Sequence, residues 1–243
     1  MWGLTPDALP LDDALRKLAR AQRVLARHGH AHMSLGHMSL RDPEGRGFWL
    51  KARGLGLEEV RGPGDFILLD LDGHPLRGDA SRRHQEWPIH AEIYRARADV
   101  HAALHSHPFH AAAFSATAAT LRAATADGNF LEGRVAYYRE MPGLIATPEL
   151  GRALASALGE RAVVLMKNHG VTTCAPSIAG AALAGVFVER ACQVQVLLEA
   201  SGLEWSPPDP RDLAPGGRAR LEPTPGLVED LWGWFERDLS RAE

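Results

Sequence analysis

The pentapeptide Leu104-His105-Ser106-His107-Pro108 most narrows the folds open to this chain of 243 residues. On a β-strand successive side chains alternate between faces, so His105 and His107 project together while Leu104 and Ser106 project the other way. Two imidazoles are thereby aimed at one point. A lone acid, Glu86, precedes this strand in Gln85-Glu86-Trp87-Pro88, and Asn168-His169-Gly170 lies well beyond it as a polar turn between two apolar runs. Using these residues together requires three separated segments to meet, with His169 on a loop folded over the strand. Three protein ligands with an open fourth position are the pattern of a catalytic rather than a structural zinc site.

Composition excludes several classes. A hydrophobic content of 45% supports a sizeable core, in one large domain or one domain with an appendage. The formal net charge of −3 argues against a general nucleic-acid-binding surface. The locally basic runs from Arg16 to Arg23 and at Arg82-Arg83-His84 read as solvated faces. Two cysteines, Cys174 and Cys192, are too few for a disulfide framework or a cysteine zinc cluster, which fits a reducing compartment. Residues 1–10 lack a signal-peptide pattern and no uncharged apolar run approaches membrane-spanning length, so a cytoplasmic protein with no membrane partner is expected.

The order of elements is readable. Leu11, Ala14, Leu15, Leu18 and Leu25 follow helical spacing, with Gly29 as the stop after His28. Met33 to Arg41, Gly47 to Lys51 and Phe66 to Leu71 read as strands, the last closed by Asp72-Gly73. A second helix is expected from Pro88 to about Ala98, followed by the His105 strand. Thr147-Pro148-Glu149 reads as a capped helix start, Ala162 to Met166 as a buried strand and Val171 to Cys174 as its partner beyond the His169 turn. A long helix, nearly uncharged until Glu189-Arg190, runs from Ser177 to Ser201 and ends at Gly202. Strands and helices mixed in this way predict a layered sheet with helices on its faces.

Residues 1–205 thus form the expected catalytic domain, and residues 206–226, rich in proline and glycine, a linker or wrapping arm. Residues 227–243 form a terminal amphipathic helix. Val228, Leu231, Trp232, Phe235 and Leu239 make one apolar stripe on it, which can dock on its own domain or on a neighbouring subunit.

Four motifs in this order resemble the class II aldolase/adducin superfamily, over roughly residues 12 to 202. They are Gly36-His37-Met38-Ser39-Leu40-Arg41, the segment from Glu86 to Tyr94, His105-Ser106-His107-Pro108, and Asn168-His169-Gly170-Val171. Glu189-Arg190-Ala191 looks like part of the family's closing helix. The resemblance implies a three-layer α/β/α sandwich, His105, His107 and His169 as metal ligands, and Glu86 as acid/base. It also implies a cyclic homotetramer with sites at subunit interfaces. The metal is expected to be zinc, with manganese, cobalt or iron compatible with imidazole donors. Tyr137, Tyr138 and Arg139 are candidates for a contribution from a neighbouring subunit. His90, one turn after Glu86, reads as structural or as supporting the ligands, and His28, His30, His32, His84, His101 and His110 have no spacing that singles them out.

A divalent cation on neutral imidazoles can stabilise an enolate or enediolate, an intermediate shared by retro-aldol cleavage, decarboxylation, epimerisation and dehydration. Departures from the phosphate-using members narrow the choice. Where these carry two serines, an asparagine and a threonine-glycine pair, this chain reads His84-Gln85, His37 and Arg53-Gly54. Arginine and histidines suit a planar carboxylate, and Arg41-Asp42-Pro43 resembles the superfamily's metal-dependent decarboxylases. The expected pocket comprises Ser34, His37, Ser39, Arg53, His84 and Tyr138. The expected function is a carbon-carbon lyase, of decarboxylase or aldolase type, on a small oxygenated carboxylate. A sugar-phosphate aldolase or 4-epimerase, and a non-enzymatic adducin-like assembly module, are the alternatives.

Overall fold

The computed structural model describes residues 6–140, 143–217 and 221–243, and eight strands in one sheet form its middle layer. In chain order these are β1 (His37–Arg41), β2 (Phe48–Lys51), β3 (Phe66–Leu69), β4 (Pro75–Arg77), β5 (Ala102–Ser106), β6 (Val135–Tyr138), β7 (Val163–Met166) and β8 (Gly170–Ala175). They lie side by side as β4-β3-β2-β1-β5-β8-β7-β6. Only the β6–β7 pair is parallel. The histidine strand β5 is therefore central, with β1 and β8 on its two sides.

The helices are α1 (Leu11–Leu25), α2 (Trp87–Ala96), α3 (Phe109–Ser115), α4 (Ala126–Leu131), α5 (Pro148–Leu158), α6 (Ile178–Ser201), α7 (Pro210–Leu213) and α8 (Pro225–Ala242). Strand alternation sorts the apolar residues into two cores. Met38, Leu40, Leu104 and Val171 face one way, onto Leu18 and Leu25 of α1 and Leu183 and Val186 of α6. Phe48, Leu50, Ala103 and Val164 face the other way, onto Ile89 and Ile93 of α2 and Leu154 and Leu158 of α5. The result is a three-layer α/β/α sandwich. Helix α6 is long and apolar because it is a core helix, buried along most of its first four turns.

Two differences from the sequence reading have local causes. The expected strand from Met33 joins the sheet only from His37, because Met33 is in the left-handed region at φ 53° and Gly36 follows at φ 78°. The strand expected to reach Leu71 stops at Leu69, because the Asp70 carboxylate accepts the N–H groups of Asp72 and His74 at 2.9 and 2.8 Å and curls the chain.

Helix α8 docks on its own chain. Val228, Trp232, Phe235 and Leu239 are buried in the α1–α6 core, and Arg20–Glu236 and Arg27–Asp238 ion pairs flank them. Within the segment expected to be a linker, α7 forms a single turn and buries Leu213.

The arginine of the β1 motif is explained by packing. Arg41 donates to the carbonyls of Val100, Tyr94 and Arg97, each at 2.8 Å, so a cation sits on the unsatisfied end of α2. It anchors at its far end the helix that follows Glu86.

Candidate metal and catalytic site

Four donor groups, Glu86, His105, His107 and His169, place ligand atoms within 4.8 Å of one another. They arrive from the start of α2, from β5 and its end, and from the β7–β8 turn. His105 Nε2 lies 3.0 Å from His107 Nε2. Glu86 Oε2 is 3.6 Å from His105 Nε2, and Oε1 is 3.7 Å from His169 Nε2. The strand ends at Ser106, so His107 lies one residue beyond β5 and meets His105 from there; Ser106, on the opposite face from His105, bonds His30 Nδ1 at 2.8 Å.

The donor set fits a divalent cation. His105 Nδ1 lies 3.1 Å from Thr172 Oγ1, and that hydroxyl donates onward to Met166 Sδ at 3.3 Å. Nδ1 therefore carries the proton and donates to Thr172, leaving the Nε2 lone pair directed at the cluster. Burial, with neighbouring histidines, holds His105 well below the ordinary imidazole range and His107 down to about 4. Neutral imidazoles are the form that ligates metal.

Glu86 occupies the residue before α2 but makes no cap bond with its side chain. Its Oε1 instead accepts the backbone N–H of Ile145 at 2.9 Å. Burial raises its pKa, opposed by the Ile145 bond and by His169. A carboxyl so placed is suited to move a proton at the edge of the imidazole cluster.

The turn carrying His169 depends on Gly170. A Cβ there would collide with the Ser106 carbonyl oxygen and lie 2.8 Å from His107 Cδ2. Asn168, before it, is left-handed at φ 55°. Gly170→Ala is expected to cost about 1–3 kcal/mol through overpacking and to lower metal content. Gly151→Ala, which crowds the α2–α5 contact instead, should lose stability but keep its metal. Thermal unfolding and metal analysis of both check this, and unchanged metal content in Gly170→Ala would contradict the close approach.

The expected pocket residues are placed unevenly. His37 pairs across the sheet with His105, and its ring centroid lies 5.3 Å from that of His105 and 4.4 Å from that of His84. Ser34 is half-buried in the loop before β1. Ser39 is fully buried below the site, bonded to His90 and Tyr94 rather than open to a ligand. Arg53 is exposed and donates to the Ser81 carbonyl at 3.0 Å. Tyr138 is buried in the α2–α5 core with its hydroxyl directed to Glu140 Oε2 at 3.4 Å. Tyr137 and Arg139 are engaged within their own chain: the Tyr137 hydroxyl accepts the Leu121 N–H at 2.7 Å, and Arg139 lies over the Tyr137 ring.

The sequence reading missed Thr172, the Ile145 N–H and Lys51. Only the cross-strand register reveals Thr172 opposite His105, and a backbone donor has no sequence signal. Lys51 had one, a lysine closing the apolar run Phe48-Trp49-Leu50. Its amine is fully buried, donating to the carbonyls of Ser34, at 3.2 Å, and of Leu55, and tying together the loops that flank β1 and β2.

Burial lowers the Lys51 pKa from 10.5 to about 8. Between these values the unfolded chain holds a proton that the folded protein has released, so the penalty is full below about 8 and is relieved as pH rises. The unfolding free energy of the wild type, relative to Lys51→Met, should therefore increase between pH 8 and 10.5, by at most about 1.4 kcal/mol per pH unit. Urea unfolding across that window tests it; a flat difference would contradict the buried amine.

With the fold and this geometry in view, the comparisons with known proteins agree. Residues 16–196 match the Class II Aldolase and Adducin N-terminal domain, and the chain belongs to this family. A 3,4-dihydroxyphthalate decarboxylase from Arthrobacter keyseri is 32% identical over 215 residues, covering 82% of this chain and 84% of that protein. Among solved structures, an aldolase II superfamily protein from Pseudomonas syringae has a TM-score of 0.84 at 26% identity, with 97% of this chain and 96% of that one covered. An L-fuculose 1-phosphate aldolase from Glaciozyma antarctica PI12 has a TM-score of 0.79 at 27% identity, covering 98% and 94%.

Proposed function

We propose that this protein is a metal-dependent carbon-carbon lyase, a decarboxylase by preference, acting on a small oxygenated carboxylate. The observation that carries this reading is the convergence of three imidazoles on one point beside a buried carboxyl of raised pKa. His105, His107 and His169 would hold a divalent cation, zinc in the first instance. When bound, the cation supplies positive charge that polarises a substrate oxygen and stabilises negative charge developing on it. Glu86, held by the Ile145 N–H, moves the proton: as an acid it delivers one to the carbon that carbon dioxide leaves, and as a base it takes one from a hydroxyl before aldol cleavage. His37, beside His105, and His84, beside His37, would be donors for a carboxylate. Arg53, turned to Ser81, is not needed for that contact.

A retained donor set speaks against a non-enzymatic assembly module. The decarboxylase relative supports a carboxylate substrate, whereas the likeness to the fuculose-phosphate aldolase supports a phosphosugar as the second reading. The discriminating experiment compares carbon dioxide release from 3,4-dihydroxyphthalate with cleavage of L-fuculose 1-phosphate, using protein loaded with zinc, manganese, cobalt or iron. Faster turnover of the phosphosugar would replace the decarboxylase reading with the aldolase one.

The site also favours a homo-oligomer, a tetramer by the family pattern. Met33, Phe109 and Leu144, 69%, 77% and 52% exposed, adjoin His32, Pro108 and Ile145 in the chain, and a neighbouring subunit would cover these apolar side chains. Light scattering is expected to show a tetramer, and a fully active monomer would remove the idea. The buried, unpaired Cys174 and Cys192 accord with a reducing, cytoplasmic location.

A further inference from the structure

Below the metal-ligand cluster, four buried side chains form a single hydrogen-bonded line that begins inside the protein and ends at His37. Tyr94 OH is 2.7 Å from Ser39 Oγ, Ser39 Oγ is 2.6 Å from His90 Nδ1, and His90 Nε2 is 2.7 Å from His37 Nδ1. All four residues are at most 2% exposed. Such a line has two possible polarities, and they give His37 opposite properties. With protons directed outward, His37 presents an Nε2–H donor. With protons directed inward, it presents a bare lone pair.

The inner end decides between them. The phenol of Tyr94 has one proton and two acceptors within reach, Ser39 Oγ at 2.7 Å and the His101 carbonyl at 3.5 Å, the latter outside good hydrogen-bond geometry. The proton goes to Ser39. Ser39 has then accepted one bond and directs its own proton to His90 Nδ1. His90 must in turn carry its proton on Nε2 and give it to His37 Nδ1. His37 is left with its proton on Nε2, for which the described residues supply no acceptor.

We infer that Tyr94, Ser39 and His90 are positioning residues that lock His37 as the neutral Nε2–H tautomer, so that it offers a hydrogen-bond donor to a carboxylate or oxyanion oxygen bound beside His105. The nature of that ligand rests on the carboxylate reading above; the tautomer does not. The line is a lock and not a proton wire, because neither neighbour of the ring chain exchanges a proton near neutrality: burial holds His90 down to about 3 and raises Tyr94 far above its ordinary value. Proton transfer is left to Glu86. The opposite polarity would set a lone pair against the anion.

Long-range proton–nitrogen correlation spectra of the metal-loaded protein, with histidine ring nitrogens labelled, read the tautomers directly. Nε2–H is expected on both His37 and His90, and Nδ1–H on either overturns the inference. Tyr94→Phe removes the hydroxyl that sets the polarity and is expected to turn His37 into a tautomer mixture. A His37 still wholly in the Nε2–H form in that variant also overturns it. His90→Leu should raise KM for 3,4-dihydroxyphthalate by about ten- to a hundredfold with a smaller change in kcat, and His90→Gln, which keeps an amide N–H for His37, should recover most of it. Equal KM in wild type and His90→Leu would reject the positioning role. Failure of the wild type to bind 3,4-dihydroxyphthalate, with both tautomers as stated, would reject the carboxylate reading while leaving the lock in place.

Discussion

Glu86→Gln is expected to lower kcat by about two to four orders of magnitude, the loss that follows removal of a general acid/base. The amide keeps the shape of the side chain and an oxygen for the Ile145 N–H, which Glu86 Oε1 accepts at 2.9 Å. Arg41 still holds the far end of α2. Fold and metal content should therefore be close to wild type, and kinetics should be compared at equal metal occupancy. A glutamine variant that keeps wild-type turnover would remove Glu86 from proton transfer. One that unfolds would show the carboxylate to be structural.

His169→Ala is expected to reduce bound metal from one equivalent to near none at micromolar protein and to abolish turnover. The imidazole is one of three that converge on the cluster, and it is the one carried by a turn rather than by the core. The turn itself is held by backbone: the His169 N–H donates to the Met166 carbonyl at 3.0 Å, a bond the alanine variant keeps. In the absence of metal its unfolding free energy should lie within about 0.5 kcal/mol of wild type, as for a side chain outside the core. Metal analysis and unfolding curves check the two halves separately. Full occupancy with full activity would mean that the ion, if any, is bound elsewhere.

The residues that were legible in the sequence are those whose direction is set by local geometry. The two-residue spacing at the end of β5 brings His105 and His107 together, and the glycine and asparagine of the 168–170 turn announce a tight bend between two apolar strands. The stripe from Val228 to Leu239 required a surface, although not which one; ion pairs and packing on α1 and α6 answered that. Arg53 shows the limit of reading a loop position from sequence: no local periodicity sets the direction of its side chain, which here donates to the Ser81 carbonyl.

What the sequence determined by itself is the set of chemical groups and their spacing: two imidazoles two residues apart at the end of a strand, a third on a turn, and a carboxylate at a helix start. Those follow from dihedral geometry within a few residues. What only the tertiary structure decided is which groups meet across the sheet. The β1–β5 register brings His37 opposite His105, and the β5–β8 register brings Thr172 to its other side. The packing of α2 over β1 carries His90 and Tyr94 onto Ser39. Register arises from burying two complete apolar faces at once, a slip of one residue turning every side chain to the wrong layer. That energy is spread over the whole sheet, so no short segment records it.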